Sequence, residues 1–84
     1  MKTLQITAVR VNSRGFVSEL YCEKDDRWLL ATETMIAMEV GLLCPVARLH
    51  DRDVLISGTY RSSGKYFEAR RDSSSANALL ELTI

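Results

Sequence analysis

Three places in the chain hold side chains whose types could do chemistry. His50, Asp51 and Asp53 share one polar turn, and an imidazole beside carboxylates is ordinary material for acid–base catalysis. Neighbouring residues at a hairpin tip, however, point into solvent, where neither burial nor a substrate cleft tunes them. A charged turn is the expectation there. Cys44, ahead of Pro45, has the type of a nucleophile but no identifiable base, and the chain has no GxSxG, P-loop or GxGxxG pattern. Cys22, Cys44 and His50 are too scattered for the paired-ligand spacing of structural zinc. The expectation is a protein that is not an enzyme, with no metal and no cofactor, and with both cysteines reduced.

The second place is the stretch 60–71. Arg61, Lys65, Arg70 and Arg71 stand there against Glu68 alone, interleaved with Tyr60, Tyr66 and Phe67. Basic residues and aromatics on a curved sheet hold phosphates and stack bases, so these four cations are the candidate contacts of a nucleic-acid-binding barrel. Across the whole chain eleven basic residues balance eleven acidic ones, which leaves no global field to attract a polyanion. Arg14, the 61–65 loop, Arg70 and Arg71 are the exposed positions expected to make contacts.

The third place is Thr32–Leu43, the one stretch that reads as a helix. Thr32 or Thr34 is the expected cap, Glu33 suits the positive end, and Gly41 and Pro45 stop it. At ~100° per residue Ile36, Val40 and Leu43 form one apolar ridge, and Met35, Met38 and Leu42 a second. A helix lying on a sheet needs one stripe. Two ridges imply either a helix embraced on both sides or a methionine ridge facing a partner, because methionine adapts to many surfaces. Met35, Met38 and Leu42 are therefore the candidate partner-binding residues.

The elements around these places are short strands. Leu4 to Val11 is rich in β-branched residues; Leu4, Ile6 and Ala8 alternate onto one face and Val9 and Val11 onto the other, which asks for two-sided burial or a bulge near Ala8. Asn12-Ser13-Arg14-Gly15 turns the chain into Phe16–Cys22, with Phe16, Leu20 and Cys22 on one face and Val17, Glu19 and Tyr21 on the other. A polar turn at 24–27 leads to a short strand from Trp28. After the helix, strands from Val46, Val54 and Lys65 make a meander, and Ala78 to Leu82 makes a closing strand. The order β-β-(β)-α-β-β-β-β predicts an α+β fold: about six short antiparallel strands in a strongly bent sheet, or a small partly open barrel, around one helix.

The opening Ile6-Thr7-Ala8-Val9-Arg10 and the ending Tyr66-Phe67-Glu68-Ala69-Arg70 with Asn77-Ala78-Leu79-Leu80-Glu81-Leu82 resemble a family of small bacterial and phage proteins classed as a domain of unknown function. That family is more polar at the helix and carries a tryptophan there. The resemblance implies a small strand-rich cytosolic module, often encoded on mobile elements, and brings no catalytic residues with it.

Length and composition agree with one domain. Eighty-four residues hold a single core, and 46% hydrophobic with 26% charged residues is the balance of a globular chain. A chain this small buries only ~60–65% of its unfolded surface, so self-association would be a welcome support. No stretch resembles a signal peptide or the ~20 apolar residues of a membrane helix, so the expected location is the cytoplasm. The function expected is that of a small interaction module with a protein partner or a second copy, for example a phage or prophage inhibitor that occludes a host machine in an anti-defence role. Nucleic-acid binding through 60–71 is the alternative.

Overall fold

A computed structural model describes residues 2–50, 52–61, 64–69 and 77–84, with the backbone alone at 60, 61, 64 and 65. Six strands and one helix run in the order β1 (Lys2–Val11), β2 (Val17–Cys22), β3 (Arg27–Leu30), α1 (Ala31–Glu39), β4 (Leu43–Leu49), β5 (Arg52–Arg61) and β6 (Gly64–Ala69), followed by a 3₁₀ turn at Ala78–Leu82. The α+β class matches the pattern of the sequence, and the six strands are those expected without the closing one.

Two bulges make the first hairpin's pattern legible. Ile6 pairs with Cys22 and Ala8 with Tyr21, so Thr7 is the extra residue in β1. The slip returns Val9 to the face already holding Leu4 and Ile6, and all three are buried. The bulge expected near Ala8 is thus present. A second irregularity, with Arg10 opposite Glu19 but Val11 opposite Val17, leaves Ser18 over. Its hydroxyl donates to the Arg10 carbonyl at 3.2 Å. Val17 consequently turns inward with Leu20 and Cys22, contrary to strict alternation from Phe16.

The sheet is mixed rather than antiparallel throughout. Its order is β3-β2-β1-β4-β5-β6, with β1 and β4 parallel at the centre from Lys2 opposite Leu43 to Ile6 opposite Ala47. The reason lies in α1. A three-strand meander leaves β3 running the same way as β1, and a helix of nine residues, ~14 Å long, carries the chain back to start β4 in that direction again. Pro45 sits inside β4, earlier than the start expected at Val46. Pairing with β5 begins only at Val46 opposite Leu55, so the missing N–H falls where β4 has one neighbour.

β5 serves two partners. Residues up to Leu55 pair with β4, and those from Ile56 pair with β6. The second half curls over α1, far enough for Phe16 and Tyr66 to meet edge to face at 5.9 Å. The sheet stays open, with β3 and β6 as its edges. Leu4, Ile6, Leu20, Met35, Phe67 and Leu79 fill the concave side, each contributing roughly 1.5–3 kcal/mol by burial.

The segment expected as a closing strand is instead the 3₁₀ turn. Ala78 and Leu79 are buried and Leu82 packs on the core, a helical spacing in a run without β-branched residues. Among the described residues from Asn77 on, Thr83 pairs with a strand, bridging Val9 in parallel. Asn77 organises this corner. Its side-chain oxygen accepts from Ala69 N at 3.0 Å and Leu79 N at 3.1 Å, and its amide donates to the Phe67 carbonyl at 3.0 Å. One side chain thereby caps the turn and satisfies part of the β6 edge.

Candidate docking surface

Helix α1 begins one residue earlier than the expected Thr32 and ends at Glu39, four residues before the expected Leu43. It begins directly from β3 at Ala31 with Leu30 in the capping position, leaving no room for a side-chain cap. Thr34 is buried instead, its hydroxyl donating to the Leu30 carbonyl at 2.9 Å. At the far end Gly41 takes a positive φ of 77°, Gly41 N donates to Met38 O at 3.1 Å, and Leu42 N donates to Ala37 O at 2.9 Å. This paired closure is a Schellman motif, and glycine meets its left-handed position without a Cβ penalty. Lys2 N then donates to Leu42 O at 3.0 Å, so the Leu42 backbone is held from both sides.

The helix faces the core with Ala31, Thr34 and Met35, and Met38 packs partly against it. Opposite them, at ~100° per residue, lie Ile36 and Val40. Ile36 is 53% exposed, Val40 64% and Leu42 65%. An amphipathic helix would place polar residues there. Glu33 and Glu39 are the exposed charges of α1, and the helix carries no basic residue.

The partner-binding candidates separate on this frame. Met35 is 2% exposed and belongs to the core; Met38 is half-buried; Leu42 is open. The exposed apolar residues at this end of the helix are therefore Leu42 together with Ile36 and Val40 of the other ridge. The nucleic-acid candidates fall mostly elsewhere. Arg61 and Lys65 lie on the β5–β6 hairpin, where Arg61 opposes Gly64 and Tyr60 opposes Lys65, with their backbones alone described. Arg70 and Arg71 lie outside the described residues. Phe67 is buried in the core and Tyr66 is half-buried.

The catalytic-type residues do not converge. His50, in the left-handed region at φ 58°, puts Nε2 3.7 Å from Glu81 Oε1. Asp53 instead accepts from Gln5 at 3.0 Å and Arg48 at 3.3 Å on the outer sheet face, and Asp51 lies outside the described residues. Cys22 and Cys44 are free thiols, the first buried and the second half-buried. Arg14 is exposed in the first turn, where its N–H donates to Asn12 Oδ1.

No family model, no curated protein and no solved structure matches this chain. The chain is therefore assigned to no family. Among the described residues no helix is long and apolar enough to cross a membrane.

One cluster escaped the sequence pattern: a ladder on the outer face of β1–β2–β3. Tyr21 and Trp28 are cross-strand partners with ring centroids 5.1 Å apart. Arg10 reaches across β2 to place its guanidinium 4.0 Å from the Trp28 ring centroid, and its Nη1 lies 3.4 Å from Glu19. Tyr21 donates a hydrogen bond to the Asp26 carboxylate. That bond, with smaller contributions from desolvation and neighbouring negative charge, raises the Tyr21 pKa above its ordinary value. Because Arg10 and Tyr21 both lean on Trp28, the ladder reads as structural packing rather than a platform awaiting a base. The signal was present in the alternation of Glu19, Tyr21, Trp28 and Leu30, but it required the β2–β3 register.

Proposed function

We propose that this chain is a small non-catalytic interaction module that docks on a protein partner through Ile36, Val40 and Leu42. The observation that carries the reading is that these three apolar side chains are each more than half exposed at one end of a nine-residue helix. Their cost in water is accepted in a chain with little stability to spare, and exposed apolar patches of this kind mark interaction sites. The Schellman closure holds Leu42 in place before any partner arrives, which reduces the ordering entropy that docking must overcome. The phage-like resemblance supports looking for that partner in a host machine, where occlusion by so small a body would act as inhibition.

The test is a quantitative co-purification from nuclease-treated lysate, comparing the natural chain with Ile36→Asp/Val40→Asp. A stoichiometric partner lost from the variant, with the variant's circular dichroism unchanged, supports the proposal. A partner retained equally by both would place the contact elsewhere. Oligonucleotide binding at ~50 mM salt, where phosphate contacts are strongest, would instead favour the reading built on Arg61, Lys65, Arg70 and Arg71.

A further inference from the structure

We infer that the partner of the Ile36–Val40–Leu42 surface is an apolar protein segment edged with lysine or arginine, and not a second copy of this chain. The inference rests on the docking role proposed above and specifies the chemistry of its occupant. Three side chains make a patch of at most a few hundred Å², far below the ~800 Å² per partner of a stable interface. Any lasting complex must therefore extend past the trio onto its rim, and the rim decides who fits.

On α1 itself that rim carries one sign of charge. Glu33 lies one turn before Ile36, and Glu39 flanks Val40 from the other side; both are exposed. The negative end of the helix dipole falls at Val40, and no basic side chain in the last turn offsets it. Lys2 is the cation nearest in the chain's hydrogen bonding, through its backbone to Leu42, but its ammonium lies 3.7 Å from Asp25.

A two-fold contact between copies would set α1 against α1. Since α1 contains no lysine or arginine, whatever the crossing angle the helices bring only carboxylates to each other. A segment with lysines beside its apolar face meets Glu33 and Glu39 with opposite charge. Recognition of that form is a helix or strand with spaced apolar anchors and a basic margin.

The experiment uses two synthetic amphipathic peptides with the same leucine face, one edged with lysine and one with glutamate. Methyl resonances of Ile36, Val40 and Leu42 are followed during titration at low and high salt, and oligomeric state is measured by light scattering. The lysine-edged peptide is expected to shift those methyls and to bind on the order of fivefold more tightly than its glutamate counterpart. Salt should narrow the gap, and Glu33→Lys/Glu39→Lys should reverse the preference. Equal binding of both peptides overturns the charge assignment while leaving the docking role standing. A dimer that protects the three methyls overturns the exclusion of a second copy and keeps the surface. A monomer that binds neither peptide overturns this inference together with the docking surface itself.

Discussion

The thioether of Met35 occupies the space that a side chain at position 58 would need. A Cβ built on Gly58 would lie 2.7 Å from Met35 Sδ and 2.9 Å from Cε, with the Phe67 ring at 3.4 Å. Helix and curled strand therefore close together at the one residue of β5 that has no side chain. Gly58→Ala is expected to cost about 1–2 kcal/mol, because the sulfur end of Met35 must move within a filled core. In a Met35→Ala background the added methyl enters vacated space, so denaturant titrations of the double-mutant cycle should show a coupling of about 1 kcal/mol. Simple additivity would mean that the two residues do not compete for volume.

The curl that brings Gly58 to Met35 shows where the sequence was readable. Turn chemistry at Asn12–Gly15, the bulge in β1 and the stop at Gly41 are local properties, and each follows from residue types. The parallel pairing of β1 with β4 is different: Leu4 and Pro45 carry no mark of each other. It followed only from counting strand directions through a helix long enough to span a strand. The surface divided the same way. A helical wheel found two apolar ridges, but which ridge is inside depends on the Met35–Gly58 contact, a relation between elements. The C-terminal run misled because Leu80 and Leu82 alternate like a strand, whereas the Asn77 cap and the buried Ala78 and Leu79 make it a turn.

Asn77 gives the second prediction. Its amide makes three hydrogen bonds that join β6 to the final turn. Asn77→Ala should destabilise the fold by about 2–3 kcal/mol, at roughly 1 kcal/mol for each bond lost. Asn77→Ser can still cap Leu79 but cannot span Phe67 and Ala69, so it should recover about 1 kcal/mol of that loss. Urea denaturation of the three proteins checks the order.

The Arg10–Trp28 contact gives the third. Arg10→Ala should lower stability by about 0.5–1 kcal/mol, the usual size of an exposed cation–π pair. Trp28 is the chain's single tryptophan, so its fluorescence reports the site alone. Acrylamide should quench it more efficiently in the variant. Unchanged quenching would show that the guanidinium does not shield the ring in solution.

Tyr21 gives a prediction in pH. Its raised pKa means that the folded state favours the protonated phenol more than the unfolded chain does. The resulting stability is fully present below the unfolded pKa and is lost as pH rises through the folded value. Difference absorbance should therefore detect one tyrosine titrating later than usual in the alkaline range. Asp26→Asn should bring that titration back down, since the hydrogen bond to the Asp26 carboxylate is the largest cause.

The central strand has one further consequence, for the order in which the molecule can assemble. β1 finds β2 immediately, but its other side waits for residues 43–47 and finally for Thr83 beside Val9. Closing such distant pairs slows folding, and the first meander must exist for that interval with an open β1 edge. During that interval the middle of the future sheet is the place where two nascent chains can join wrongly. The vulnerable moment in the life of this protein precedes its native state, and it falls on a strand that the finished molecule leaves no room to reach.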